Sequence, residues 1–408
     1  MSNNGSFERL IEHAEHVVVG EELRSRLADE RPLRVKLGLD PTAKDVTLGW
    51  AVPLRKLRQF QDEGHTAVLI VGDFTARVGD PSGKSATRPQ LSEEEVKAFA
   101  GAVLDQFYDV ISRDRLEIRY NSEWLAGLDL ARVLKLTSYY TVAQMLERDD
   151  FAKRYAAGRP ISMVEFMYPL MQAYDSVAVA ADVELGGTDQ LFNLLVGRDL
   201  QRAYGQRPQV ALTMPLLVGL DGVQKMSQSL GNYVGLREAP DEMFGKLMSL
   251  PDGVTEAYAI LAAAMSREDV ARVAEAARSG GPRAGAAKRE VARAVVALYH
   301  GADAAAGAEA AFDRVFRERG VPEEVPEVTI PVDAIDGDRA YLPRVLAELE
   351  LASSRTEARR LIAGGAVRIN GDPITVEEAA VDDLDGALLQ VGKRRFVRLL
   401  HKANVSGP

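Results

Sequence analysis

Two short runs of branched apolar residues, Arg34 to Gly38 and Ala67 to Gly72, read as buried strands. Between them, Trp50 to Glu63 places Val52, Leu54, Leu57 and Phe60 at helical spacing. Strand, loop, helix and strand in that order predict a βαβ unit, hence an α/β fold with a parallel sheet covered by helices. Helical spacing returns over Ser92–Ser112 and Leu130–Arg148, and Val210 to Val218 reads as a further strand. Sheets of this kind bind ligands beyond the carboxyl ends of their strands. The Asp40 loop, the Asp73–Asp80 loop and the Lys225 loop are therefore expected along one edge. From Pro240 to Gly320 the chain is rich in Ala, Arg and Glu and should be helical. Gly320 to Asp338, rich in Pro and acidic residues, reads as an extended linker. A compact pattern resumes at Tyr341 with two helices, a Gly364-Gly365 turn and short strands ending near Arg398. The expected divisions are 1–235, 236–320, 321–340 and 341–408.

Composition narrows the class without naming a chemistry. Of 408 residues, 46% are hydrophobic and 27% charged, ordinary for a water-soluble globular chain. No run of about 18 apolar residues exists for a membrane helix, and Met1 to Glu15 holds no apolar signal core. The absence of cysteine excludes disulfides, thiolate metal sites and thiol catalysis, and suits a cytoplasmic protein. Five histidines leave few ligands for zinc, and no metal site is expected. The net charge of −10 argues against indiscriminate nucleic-acid binding. Charge is uneven, however. Tyr341 to Pro408 holds ten Lys and Arg against nine Asp and Glu, so the first 340 residues carry −11 of that total.

The stretch Lys225-Met226-Ser227-Gln228-Ser229 differs by one residue from Lys-Met-Ser-Lys-Ser, a cationic loop of class I aminoacyl-tRNA synthetases. Such a loop suits chemistry that expels pyrophosphate, because positioned cations meet the charge building on the leaving group. Four more segments follow in order: Gly38-Leu39-Asp40-Pro41-Thr42; Gly72 to Thr75 continuing through Gly79 to Lys84; Tyr168 to Asp175; and Gly186-Gly187-Thr188-Asp189-Gln190. Together, and over nearly the whole chain, they resemble the tyrosyl-tRNA synthetases. Tyr168, Gln172 and Asp175 stand at i, i+4 and i+7, one face of a helix. The resemblance implies that Asp175 accepts the substrate phenol and that Tyr168, Gln172 and Asp80 surround the substrate ammonium. It also places Asp40, Thr75 and Gln190 near the amino acid. A buried carboxylate that needs a phenolic donor rejects phenylalanine, and this family is the standard instance of that selectivity. Lys36 stands where many relatives carry a tyrosine that donates to the phenol. Viewed alone, the same periodicity describes an amphipathic core helix.

The nucleotide side departs from the pattern. Where the family reads His-x-Gly-His, this chain has Thr47-Leu48-Gly49-Trp50, and Gln228 replaces a lysine. The resemblance implies that Thr42 meets the terminal phosphate and that Lys84, Arg88 and Lys225 assist the leaving pyrophosphate. It places Asp189 near the ribose, and Gly38, Gly49, Gly187, Leu217 and Val218 around the nucleotide. Arg77 and Lys44 are candidate substitute phosphate contacts, or plain surface charges. Gly79 to Ser85 falls one residue short of a Walker A loop, since Val78 stands where its first glycine belongs. ATP and its accompanying Mg²⁺ are the implied cosubstrates. Near the C-terminus, Ser353 to Gly371 resembles an S4-type RNA-binding module, with Ser353 or Ser354 as helix cap. Arg355, Arg359, Arg360, Arg368 and the cluster Lys393-Arg394-Arg395 are its candidate RNA contacts.

The expected protein is therefore a class I catalytic domain, a helical domain that contacts the anticodon region, and an S4-like α+β domain. By resemblance it is a homodimer that ligates tyrosine to tRNA with weakened ATP chemistry. Two rivals remain: a repurposed paralogue that binds tyrosine or a derivative but uses another donor or acceptor, and a non-catalytic, tyrosine-responsive RNA-binding protein.

Overall fold

Six strands build the first sheet: β1 (His16–Val18), β2 (Arg34–Leu39), β3 (Thr66–Val71), β4 (Leu116–Tyr120), β5 (Val183–Gly187) and β6 (Val210–Met214). These and all following elements come from a computed structural model that describes residues 3–29, 31–41, 44–78, 92–316, 325–392 and 395–401. The strand order is β1-β6-β5-β2-β3-β4, parallel throughout except for β1, which pairs antiparallel with β6. Helices cover both faces, so β3 and β6 are almost wholly apolar, as buried parallel strands require. Each fully buried Leu or Val there contributes roughly 1.5–3 kcal/mol. The chain passes from β2 to β3 on one side, while β5 joins β2 on the other. That reversal opens a crevice at the carboxyl ends of β2 and β5.

The predicted βαβ unit is present. Helix Leu48–Asp62 links β2 and β3, and buries Leu54, Leu57 and Phe60. Two expected elements are shorter than the spacing suggested. Leu130–Arg148 breaks into helices Leu130–Thr137 and Val142–Met145. The hydroxyls of Thr137 and Ser138 turn back on the carbonyls of Leu134 and Lys135, and Thr141 caps the second helix. The expected strand Val210–Val218 stops at Met214, because Pro215 has no N–H for the ladder.

The chain forms two compact units, Met1–Ala302 and Asp303–Pro408. The helices Pro240–Met248, Thr255–Leu261, Arg267–Arg278 and Gly281–His300 belong to the first unit, with the sheet. Tyr258, fully buried, donates its hydroxyl to the Val218 carbonyl at 2.7 Å, and Arg55 donates to the Tyr299 hydroxyl at 2.7 Å.

In the second unit the described part of the segment expected as a linker, residues 325–340, is structured. β7 (Glu327–Thr329) is an edge strand parallel to β14 (Arg395–Leu400), and β8 (Ile335–Asp336) pairs with β9 (Arg339–Tyr341). The reason is apolar: Val328, Ile330 and Ile335 pack into the core of this unit. Between them lie β10 (Val367–Ile369), β11 (Asp372–Pro373), β12 (Glu378–Ala380) and β13 (Leu388–Val391). They complete a five-stranded sheet, β11-β10-β13-β14-β7, and a three-stranded one, β12-β9-β8.

Candidate active site

The crevice between β2 and β5 begins with two glycines. A Cβ on Gly38 would meet nothing within 4 Å, so the strand end stays open to a ligand. A Cβ on Gly72 would lie 2.0 Å from Asp40 Oδ1 and 2.4 Å from Thr75 Oγ1, so only glycine lets these two side chains meet. Helix Met163–Ala178 forms the facing wall. It is started by a capping box between Ser162 and Glu165, and it buries Tyr168, Gln172 and Asp175 on the side toward the sheet.

One hydrogen-bonded chain runs along this wall. The Tyr168 hydroxyl donates to Asp40 Oδ2 at 2.8 Å, and Thr75 Oγ1 donates to Asp40 Oδ1 at 2.8 Å. Asn121 Nδ2 donates to Thr75 Oγ1 at 2.9 Å and reaches Asp175 Oδ2 at 3.4 Å. Trp124 Nε1 donates to Asp175 Oδ1 at 2.8 Å. Burial pushes the Asp175 carboxyl up to about 7, against the pull of nearby Lys36 and the Trp124 and Asn121 donors. A carboxylate held so far from water gains strongly from a further donor.

A second network lies beside it and involves two residues expected to touch the amino acid. Lys36 is fully buried, and its Nζ donates to the Gln172 carbonyl, Ser176 Oγ and Glu184 Oε1 at 2.8–2.9 Å. It therefore neutralises Glu184 in the interior and does not present its ammonium to the crevice. Gln172 is likewise held from within: Nε2 donates to Glu184 Oε1 at 3.1 Å, and Oε1 accepts from Asn193 Nδ2 at 2.9 Å. Both residues brace the wall.

The opposite side of the crevice carries the Lys225 loop. Lys225 pairs in an isolated bridge with Val218, and Met226 N–H donates to the Leu217 carbonyl. The carbonyl oxygen of the Asn232 side chain receives Ser227 N–H at 2.9 Å and Asp221 Oδ2 receives Asn232 Nδ2 at 2.6 Å, which fixes the turn. Lys225 Nζ forms an ion pair with Asp189 at 2.6 Å. Gln190 Oε1 accepts from Gly187 N–H at 3.0 Å. Gln228 Nε2 donates to the Asp45 carbonyl, and Gly49 faces Met226, with 3.5 Å left for a Cβ. Thr47 is buried and bridges to Gly235. Leu217 is buried in the protein, while Leu216 is 40% exposed beside Gly187. The apolar surface offered at this point is therefore Leu216, where Leu217 was expected. Val218 is half-buried, and its carbonyl is taken by Tyr258.

Residues 28–317 match the family described as tRNA synthetases class I (W and Y), and residues 342–382 match the S4 domain. A tyrosine–tRNA ligase of Moorella thermoacetica is 53% identical over 377 residues, covering 92% of this chain and 90% of the relative. The chain belongs to the tyrosyl-tRNA synthetases. A second relative, the tyrosine–tRNA ligase of Carboxydothermus hydrogenoformans, is 49% identical over 381 residues, 93% of each chain. The fold is also that of a solved tyrosyl-tRNA synthetase of Archaeoglobus fulgidus. The TM-score is 0.61 at 24% identity, covering 76% of this chain and 100% of the other.

Within this tyrosyl-tRNA synthetase family member, the structure brings Asp40, Thr75, Tyr168 and Asp175 into one chain of contacts, and Asp189, Lys225 and Gly187 onto the facing loops. Thr42, Asp80, Lys84, Arg88, Lys393 and Arg394 lie outside the described residues, as does the Walker-like stretch from Gly79. Arg77 and Lys44 are exposed. Asn121, Trp124, Glu184 and Leu216 were not foreseen. The signal for Asn121 and Trp124 was their place just past β4, a strand end of the same sheet.

In the second unit, Ser354 caps helix Arg355–Ala363, accepting from Glu357 N–H at 3.2 Å. Arg355, Arg359, Arg360, Arg368 and Arg395 are exposed. Three of these guanidinium groups have partners inside the unit: Arg359 with Tyr341 and Glu377, Arg368 with the Gly371 carbonyl, Arg395 with the Leu351 carbonyl.

Proposed function

We propose that the protein is a tyrosine–tRNA ligase with a complete amino-acid pocket and an attenuated ATP step. The observation that carries this reading is the hydrogen-bonded wall from Trp124 through Asp175, Asn121, Thr75 and Asp40 to Tyr168. It supports a tyrosine laid along it, with the phenol donating to Asp175 and the ammonium near Asp40 and Tyr168. The tyrosine carboxylate attacks the α-phosphorus of ATP, the bond to the β-phosphate breaks, and pyrophosphate leaves. A hydroxyl of the tRNA 3′ end then takes the tyrosyl group and AMP departs. No protein nucleophile is needed, since the work is positioning and charge stabilisation. Mg²⁺ is read as travelling with ATP.

The attenuation rests on Thr47, Trp50 and Gln228. Removing one preorganised donor to transition-state charge costs roughly 2.7–4 kcal/mol, so the loss of one histidine and the lysine would by itself slow activation by about 10⁴-fold if additive. A second reading, a tyrosine pocket serving another donor or acceptor, draws support from the aromatic lining that Trp50 gives the nucleotide side. The protein is further read as a cytoplasmic homodimer that binds tRNA. Leu130 and Leu134, one helical turn apart and 72% and 60% exposed, support an apolar contact with a second copy.

Two measurements test the reading. Calorimetry should find L-tyrosine bound and L-phenylalanine rejected. Tyrosine-dependent ATP–pyrophosphate exchange should be slow and should rise at least tenfold in the double variant Trp50→His, Gln228→Lys. Tyrosine bound without any exchange, even in the double variant, favours the repurposed paralogue. Absence of tyrosine binding removes both readings.

A further inference from the structure

The chain behind the Lys225 loop is held from three sides. Leu48 N–H donates to the Val234 carbonyl at 2.9 Å and Leu236 N–H to the Val46 carbonyl at 2.8 Å, on either side of the bridge between Thr47 and Gly235. These two rungs tie the start of helix Leu48–Asp62, with Trp50 in its first turn, to the segment that follows Gln228. Glu238 Oε1 accepts from Gly235 N–H at 2.8 Å and from Lys246 Nζ at 2.6 Å, which fixes the segment to helix Pro240–Met248. The third hold is Arg237. Its Nε and Nη2 donate to the two oxygens of Asp109 at 2.6 and 3.0 Å, Nη1 donates to Asp105 Oδ2 at 2.6 Å, and Nη2 also reaches the Asp105 carbonyl at 3.0 Å. Asp105 and Asp109 stand about one turn apart where helix Glu93–Phe107 ends. A helix C-terminus is negative, and this helix has no basic residue in its last turn. Two carboxylates there are unfavourable until a cation arrives, and Arg237 is that cation. Between them, Gln106 accepts from Val46 N–H at 2.9 Å and donates to the Lys44 carbonyl at 2.7 Å, and the Phe107 ring lies 6.3 Å from the Trp50 indole. One helix end therefore grips both partners of the rungs, Val46 through Gln106 and Leu236 through its neighbour Arg237.

We propose that Arg237 is a positioning residue: its fork on Asp105 and Asp109 closes this circuit of contacts and so sets where Trp50 and Gln228 stand. The circuit shares no residue with the hydrogen-bonded wall that runs from Trp124 to Tyr168, so it bears on the ATP step and leaves tyrosine binding alone. Its effect on that step rests on the ligase reading, whereas the circuit itself does not. A guanidinium holds its donors in one plane and can span two carboxylates, while a lysine ammonium is a single point and cannot hold both in the same geometry. Arg237 is 48% exposed and its partners are 63% and 38% exposed, so these ion pairs add little to overall stability. Loss of the fork is felt as position instead. The rungs at Leu48 and Leu236 open more often while the rest of the chain stays folded.

The test is amide hydrogen exchange on the full chain, read at Leu48 and Leu236, together with calorimetry of L-tyrosine and tyrosine-dependent ATP–pyrophosphate exchange. In Arg237→Gln both amides should exchange about tenfold faster at an unchanged melting temperature. Arg237→Lys should fall between that variant and the wild type. The double variant Asp105→Asn, Asp109→Asn should match Arg237→Gln, and combining all three changes should add nothing, as for groups that act as one unit. L-Tyrosine affinity should stay within about twofold, because the wall is separate. The kcat of pyrophosphate exchange should fall by about tenfold, the effect of a displacement passed on to the reacting groups. Unchanged protection of Leu48 and Leu236 in Arg237→Gln, or losses that simply add in the triple variant, would overturn the proposal. Full protection in Arg237→Lys would overturn the part given to the fork. Loosened amides with kcat unchanged would overturn the effect on the ATP step. A wild type without any pyrophosphate exchange removes the ligase reading, and the amides of Leu48 and Leu236 still decide whether Arg237 closes the circuit.

Discussion

Asp175 is the carboxylate proposed to choose the amino acid, and its burial has consequences in two directions. Its carboxyl is lifted from an ordinary 3.8 to about 7 in the folded chain. The folded state therefore holds the proton more tightly than the unfolded one, and the associated stability is complete below about pH 4 and lost as pH rises through 7. Asp175→Asn should remove that slope, so that the variant gains on the wild type in urea midpoint between pH 5 and pH 8. The same change should weaken tyrosine binding by about 10- to 150-fold, the worth of a hydrogen bond to a charged group. In the wild type, tyrosine affinity should fall as pH drops below 7, with a proton released on binding. Calorimetry in buffers of different ionisation heat reads that proton directly, and its absence would mean that the phenol is not donating to this carboxylate. Lys36 gives the complementary case. Lys36→Met strands the Glu184 charge in the core and should cost about 3–5 kcal/mol in denaturant melts. Adding Glu184→Gln should recover much of it, and an equal loss in the double variant would show that the charge is not the cause.

At the scale of elements, the wall works because β2, β3 and β4 end at one level and helix Met163–Ala178 faces them. Gly72 is the tightest joint, since a methyl group there would displace Asp40 and Thr75. Both neighbours are side-chain ends that can swing, so Gly72→Ala should cost only about 1–3 kcal/mol in stability, the usual price of overpacking, yet weaken tyrosine binding more than tenfold. Unchanged tyrosine affinity in that variant would show the Asp40 carboxylate to be dispensable. Much of this was legible beforehand. The branched apolar runs at β2 and β3 and the i, i+4, i+7 face of Tyr168, Gln172 and Asp175 are local signals. What escaped was decided by tertiary partners. β4 is only half-buried and reads weakly as a strand, so Asn121 and Trp124 at its end went unnoticed. Gln172 shares a face with Asp175, yet Asn193 and Glu184, distant in sequence, turn its amide inward. The segment from Glu327 looked like a linker because its prolines and acids outnumber the few apolar residues that pin it into the second sheet.

Over the whole molecule, the exposed pair Leu130 and Leu134 is the contact proposed for a second copy. Sedimentation should give twice 44.4 kDa for the wild type, and Leu134→Arg should shift it to a single chain. A wild type that sediments as one chain at micromolar concentration would remove the dimer. Charge is apportioned too. The last 68 residues are nearly neutral although the rest is acidic, and several of their arginines already have partners at home. The phenol of Tyr258 has the longest reach. It rises from the helical part of the first unit to grip Val218, and the rung from Val218 to Lys225 is where the Lys225 loop is anchored. A load borne by those helices, such as a docked nucleic acid, cannot shift them without either dragging that rung along or tearing a buried hydroxyl from its carbonyl. Helices and the Lys225 loop are thus linked in series, like a pedal and its cable.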